Sequence, residues 1–314
     1  MKSLVLAQSQ QQKQNNMKLL GSLVALVTPF TKKNELNLEG LKQNIVFQLD
    51  NKTSGFVPCG TTGESPTLSE PEWTEVVKIT VNTVKGKKPV IPGTGTNSTD
   101  KTIKLTQKAQ DLGADAALVV TPYYNKPTQE GLYQHYRAIA RAVNLPIIIY
   151  NIVGRTAVNM LPETITRLHR EFPKIIIGVK EASGSLDQVT EIIRRCGKGF
   201  IVLSGDDSLT LPILSVGGKG VISVIANIVP KAIAEMIEYY FKGENKKVVE
   251  LNKKLFALSK AMFIETNPSP IKYAMSVLGM PSGKVRLPLV EPTVNNQKLI
   301  KQALQDYPIL KIKD

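Results

Sequence analysis

From residue 21 onward a short apolar run, closed by small or polar residues, is followed again and again by a longer segment with helical spacing of its apolar positions. Nothing else in the sequence restricts the fold as much. The runs lie at 23–27, 55–58, 89–91, 116–120, 147–150, 175–180, 200–203 and 220–224. The helical segments fall near 38–51, 70–85, 99–112, 129–143, 162–171, 185–195 and 207–215. Runs of Ile and Val with no polar alternation suit strands buried on both faces, as in a parallel sheet. Eight strands alternating with helices predict an α/β chain folded as a (β/α)8 barrel. A doubly wound open sheet is the other reading. The regular eight units, with no Gly-x-Gly-x-x-Gly after the first run, weigh against it.

Helix starts are marked by Ser69-Glu70-Pro71-Glu72, with a capping serine and first-turn acids, and by proline in Leu161-Pro162-Glu163. Beyond 229 no further strand run occurs. Helical stretches near 230–242, 245–264, 269–278 and 294–306 remain, punctuated by Pro268, Pro270, Pro281 and Pro288. The division expected is therefore a disordered extension over 1–16, a barrel over 17–229 and a C-terminal helical appendage over 230–314. The extension is polar and glutamine-rich, and Met17 after it offers a second start.

The formal charge of +14 raises nucleic-acid binding as a function class. The Lys and Arg residues are scattered singly or in pairs such as Lys87-Lys88, without aromatic interleaving, so a solvated basic surface and local sites for anionic substrates are expected instead. No apolar run reaches 18 residues, which argues against a membrane span. Cys59 and Cys196 have no metal or disulfide spacing and fit a reducing compartment.

Candidate chemistry sits where the runs end. Lys180 closes the run from 175 and opens into Glu181-Ala182-Ser183-Gly184. A buried lysine loses affinity for its proton, and the neutral amine attacks carbonyls. Imine chemistry and a lysine that merely snorkels at a strand end both fit the run alone. Gly60-Thr61-Thr62-Gly63-Glu64-Ser65 follows the second run. It reads either as an anion nest with two hydroxyls or as a capped strand-to-helix turn; without a Lys after the second Gly it is not a phosphate loop. Tyr123-Tyr124, in a loop bounded by Pro122 and Pro127, suits a proton relay, aromatic packing or a subunit contact. Tyr150 ends the fifth run, and Arg155 after it suggests a carboxylate clamp. Asp206-Asp207 reads as helix capping rather than a metal site, since no His or carboxylate cluster accompanies it. His135 and His169 read as structural, mid-helix and without partners.

Six motifs in chain order, Gly60-Thr61-Thr62-Gly63-Glu64-Ser65, the Tyr123-Tyr124-Asn125-Lys126-Pro127 loop, Tyr150-Asn151 with Arg155-Thr156, Lys180-Glu181-Ala182, Ser204-Gly205-Asp206-Asp207 and Gly220-Val221-Ile222-Ser223, followed by Asn267-Pro268, resemble the dihydrodipicolinate synthase (4-hydroxy-tetrahydrodipicolinate synthase) family of class I pyruvate-dependent aldolases, over residues 17 to about 310. The resemblance implies aldol condensation of pyruvate with L-aspartate 4-semialdehyde. Lys180 would form the imine, and Tyr150 would donate and accept protons beside it. Thr62 would link Tyr150 to Tyr124 of a neighbouring subunit. Thr61 and Thr62 would hold the pyruvate carboxylate, and Arg155 that of the semialdehyde. Gly205 and Ile222 would contribute backbone contacts. It implies no metal or organic cofactor, a homotetramer built as a dimer of dimers, and a cytoplasmic lysine pathway without nucleic-acid or membrane partners. Two positions depart from the family pattern: Val153 stands where proline is usual and Ala157 where glycine is usual. In lysine-sensitive relatives the effector site is lined by positions matching Ser65, Pro66, Leu68, Glu70, Trp73, Asn97, Lys101 and Tyr123; those relatives commonly carry glutamate at 101 and histidines at 70 and 73. The nearest rival is a sialate or 2-keto-3-deoxy sugar acid aldolase of the same superfamily, whose site usually lacks Arg155. A non-catalytic keto-acid-binding barrel is the rival from another class.

Overall fold

The computed structural model describes residues 19–307, so the extension over 1–16 and the last residues of the chain lie outside it. Seven parallel strands form one sheet: β1 (Gly21–Ala25), β2 (Gly55–Val57), β3 (Ala117–Val120), β4 (Ile147–Asn151), β5 (Ile176–Glu181), β6 (Ile201–Ser204) and β7 (Gly220–Ser223). Their order, β2-β1-β7-β6-β5-β4-β3, wraps the sheet round on itself. The eighth expected strand, at 89–91, is instead a pair of parallel bridges, Phe56↔Val90 and Gly93↔Leu118, spanning the gap between β2 and β3. Ile91 N–H donates to Phe56 O (2.8 Å) and Leu118 N–H to Pro92 O (2.9 Å). The segment occupies a strand's place without its full ladder because Pro89 and Pro92 have no N–H to give. Gly93 is needed for the close approach, since a Cβ there would lie 2.2 Å from Cys59 O.

Side chains alternate across the strands. Val24, Val119, Ile149 and Val179 pack outward under the helices. Leu23, Leu118, Ile148, Tyr150 and Leu203 belong to a second cluster inside the barrel, which also takes in the C-terminal helices. With Val179 facing out, the next residue, Lys180, faces in. This alternation sends a lysine into an otherwise apolar interior.

The connecting helices are capped as their sequences require. Ser69 and Glu72 form a reciprocal capping box at the start of Glu70–Val84. After β7 the chain forms Pro230–Phe241, Asn245–Ala261, Ser269–Val277 and Val294–Gln305. The first of these packs on β1 and the others on one another. No helix among the described residues is long and apolar enough to cross a membrane.

Candidate active site

Every residue singled out above for imine chemistry lies at or just beyond a C-terminal strand end, the face on which barrels of this kind carry their sites. Lys180 pairs in register with Tyr150 on β4 and Leu203 on β6. It is buried, and its Nζ lies 4.1 Å from the centroid of the Tyr150 ring. Gly205, just after β6, leaves room for the lysine stem: a Cβ there would sit 3.2 Å from Lys180 Cε. Ile222 is buried on β7 in the same inner cluster as Tyr150.

Next to the lysine along β5, a polar network centred on Glu181 joins the ends of β4 and β5. The buried Glu181 carboxylate accepts from Asn151 Nδ2 (3.2 and 3.1 Å), Ser183 N–H (2.8 Å) and Gln188 Nε2 (3.2 Å). Asn151 Oδ1 accepts from Met160 N–H (2.9 Å), and Asn151 Nδ2 also donates to Asn159 Oδ1 (2.9 Å). These neutral donors satisfy a buried carboxylate without a cation beside it.

The 60–65 loop folds into successive tight turns. Gly63 N–H and Ser65 N–H donate to Gly60 O (3.1 and 3.3 Å), and Glu64 N–H donates to Thr61 O (3.1 Å). Among the described residues the N–H groups of Thr61 and Thr62 take no backbone acceptor. Two adjacent amides and two hydroxyls can therefore turn toward an anion. Thr62 is buried, and its Oγ1 accepts from Asn267 Nδ2 (3.0 Å). The backbone carbonyl of the same Asn267 accepts from Arg155 Nη2 (2.9 Å). Asn267 thus joins the threonine loop to the arginine, a role with no local sequence signal beyond its place before Pro268.

The Arg155 loop is one helical turn, Val153–Thr156, closed by Ala157 at φ 55° and ψ 24°. This left-handed geometry favours glycine; alanine adopts it at a cost of about 1–2 kcal/mol. Thr156 Oγ1 fastens the turn to Ile152 O (2.9 Å) and Val158 O (3.1 Å). Arg155, Thr156 and Thr61 also line a cavity of about 690 Å³ whose wall includes all eight positions matched to the effector site. Glu70 in that wall is committed to Lys108 (2.7 Å).

Tyr124 is not brought to Lys180 within the single chain. It stands at φ 72°, 92% exposed, in a loop tied down by Asn125 Nδ2 donating to Asn97 O (2.8 Å). Asp206 caps the turn after β6, accepting from Ser208 N–H (2.8 Å). Asp207 is buried and accepts from Val224 and Ile225 N–H (2.9 and 3.2 Å), and burial pushes its carboxyl up to about 6. Both histidines, expected to lack partners, have them: His135 Nδ1 with Thr99 Oγ1 (2.9 Å) and His169 Nδ1 with Ile176 O (2.8 Å). Each partner belongs to a neighbouring element, so helical spacing carried no trace of it. Among the described residues no three His, Cys, Asp or Glu side chains gather as a metal site.

The family model described as "Dihydrodipicolinate synthetase family" matches residues 18–307. The chain belongs to that family. It is 51% identical over 290 residues to the 4-hydroxy-tetrahydrodipicolinate synthase of Syntrophus aciditrophicus, covering 92% of this chain and 99% of the relative. It is 49% identical to the enzyme of the same name from Methanococcus aeolicus, with the same coverage. The crystal structure of dihydrodipicolinate synthase from Thermotoga maritima superposes with a TM-score of 0.90 at 44% identity, over 93% of this chain and 99% of that one. Similarity at this level spans the barrel and the C-terminal helices together.

Proposed function

We propose that the chain condenses pyruvate with L-aspartate 4-semialdehyde through a Schiff base on Lys180, giving 4-hydroxy-tetrahydrodipicolinate for diaminopimelate and lysine biosynthesis. The observation that carries this reading is the buried Lys180 amine against the face of Tyr150, at the inner wall of the strand ends. The amine adds to the pyruvate C2 carbonyl and expels water. Loss of a C3 proton turns the imine into an enamine, whose C3 attacks the aldehyde carbon of the semialdehyde; the amine of the semialdehyde part then attacks the imine carbon, closing the ring as the C2–Nζ bond breaks and free Lys180 is returned. The protonated imine is itself the electron sink, so the chemistry asks for no further cofactor.

In this reading Tyr150 moves the protons, Thr61 and Thr62 hold the pyruvate carboxylate, and Arg155 receives that of the semialdehyde. Gly205 and Ile222 complete the pocket through their backbones. Tyr124 completes the relay of a neighbouring subunit in a homotetramer. A large aromatic side chain left 92% exposed on a fastened loop is what a subunit contact would cover. A biosynthetic enzyme of this kind would work in the cytoplasm, with neither nucleic acid nor membrane as partner. Arg155 at the rim favours the semialdehyde over a sugar acid.

The test is borohydride reduction in the presence of pyruvate, followed by peptide mapping. One reduced pyruvyl group is expected on Lys180, and none in Lys180→Ala. Mapping to another lysine, or faster cleavage of sialic acid than consumption of the semialdehyde, would overturn the reading.

A further inference from the structure

We propose that Lys272 is a positioning residue for the active site: through its ion pair with Glu64 it sets the turn that presents Thr61 and Thr62. The proposal rests on the pyruvate reading of that loop. Lys272 Nζ lies 2.7 Å from Glu64 Oε1, and the two side chains are 2% and 0% exposed. The ammonium donates also to Thr28 O (3.0 Å) and Lys284 O (2.9 Å), which uses all three of its protons. Its remaining face is covered by the Phe30 ring at 4.2 Å. The second Glu64 oxygen accepts from Arg286 N–H (2.8 Å). Burial lowers the lysine's proton affinity to about 8, as expected for an amine withdrawn from water.

The pair acts at a strained position of the loop. Glu64 is left-handed at φ 56°, an uncommon conformation for a residue with a side chain, and it directly follows the turn formed by Thr61 and Thr62. Thr28 Oγ1 holds the same turn by donating to Gly63 O (2.7 Å). From the C-terminal segment, Asn267 grips Thr62 and Lys272 grips Glu64. The loop is therefore held on both sides of Gly63 by one short stretch of chain. A buried ion pair is a weak source of stability compared with apolar residues of the same volume. Its value here lies in fixing direction: the carboxylate has one geometry in which it meets both the ammonium and the Arg286 amide.

The full-length double variant Glu64→Gln with Lys272→Met removes both charges and keeps the volume, and so avoids the buried unpaired carboxylate that Lys272→Met alone leaves. The expected result is a KM for pyruvate raised at least tenfold, with kcat reduced less than threefold and one pyruvyl group still trapped on Lys180 at saturating pyruvate. Amide exchange over 60–65 should quicken at least tenfold, with β5 unchanged. A folded double variant with wild-type KM and wild-type loop exchange overturns the proposal. So does a fall in melting temperature and kcat with KM unchanged, the signature of a purely structural staple. If the wild-type chain itself traps no pyruvate, the proposed function fails, and loop exchange alone decides whether Lys272 positions the turn.

Discussion

Replacing Gly205 with alanine would put a methyl group 2.7 Å from Ala182 Cβ and 3.2 Å from both Glu181 O and Lys180 Cε. The backbone cannot simply back away, because Gly205 N–H donates to Glu181 O (2.8 Å). The contact with Ala182 is too short to survive, and the softest neighbour is the lysine stem. Overpacking of this kind costs about 1–3 kcal/mol. At about 2–4 °C per kcal/mol for a domain approaching this size, the melting temperature should fall by roughly 2–12 °C. A chemical penalty of similar size comes on top of the stability loss, since a misplacement of about 1 Å costs on the order of 100-fold. With Nζ moved by part of that distance, kcat/KM should drop roughly 10- to 100-fold, or about 1.4–2.7 kcal/mol of transition-state stabilisation. Turnover of the semialdehyde, the fraction of enzyme trapped by borohydride at fixed pyruvate, and a melting curve measure the three consequences. Gly154→Ala is the control: its Cβ would meet nothing within 4 Å, so activity should hold within about twofold. Full turnover and an unchanged melting temperature in Gly205→Ala would show that Ala182 yields without disturbing the amine, and the steric account would fail.

Ala157→Gly relieves the left-handed alanine at the end of the Arg155 turn. After the entropy glycine adds to the unfolded chain, a net gain of about 0.5–1 kcal/mol remains, seen as a small rise in melting temperature with activity within about threefold; a lower melting temperature would contradict it. Burial lowers the His135 imidazole to about 4, so the folded state favours its neutral form. The unfolded chain takes up that proton first, and stability is lost as pH falls from about 6.5 through about 4, by up to roughly 3 kcal/mol. Denaturant midpoints across that window should fall less steeply in His135→Gln; an equal slope would assign the acid loss to other groups. L-lysine at millimolar concentration and sub-saturating pyruvate should inhibit weakly or not at all. Lys101 lines the matched cavity and Glu70 already serves Lys108, so an ammonium effector meets like charge worth about 1–4 kcal/mol, or roughly 10- to 1000-fold in affinity. Strong inhibition at low lysine would mean that Lys101 turns away from the bound effector.

How much of the site a sequence displays depends on how far apart its parts lie along the chain. The inner wall was legible because each part is local. The apolar run at 147–150 announces a parallel strand, and the tyrosine that closes it and Lys180 near the end of the next strand fall on the inward face by alternation alone. The same reasoning misreads 89–91 as a full strand, because apolar content counts Val90 and Ile91 but not the donors missing at Pro89 and Pro92. Glu64 shows the other limit. Its partner is 208 positions away, in a helix whose apolar spacing gives no hint that one lysine turns inward, so only the folded chain reveals the pair. Asn267, 205 positions from Thr62, is hidden for the same reason. These long-range ties bear on what the C-terminal helices are for. Pro230–Phe241 packs on β1, an ordinary packing role, whereas the stretch from Asn267 to Lys272 reaches the strand-end loop. A barrel ending at its last strand would keep the lysine and the tyrosine but lose both grips on the threonine turn. The helical region is thus part of the site's geometry, and the threonines' placement is inherited from a segment that local pattern reads only as an appendage.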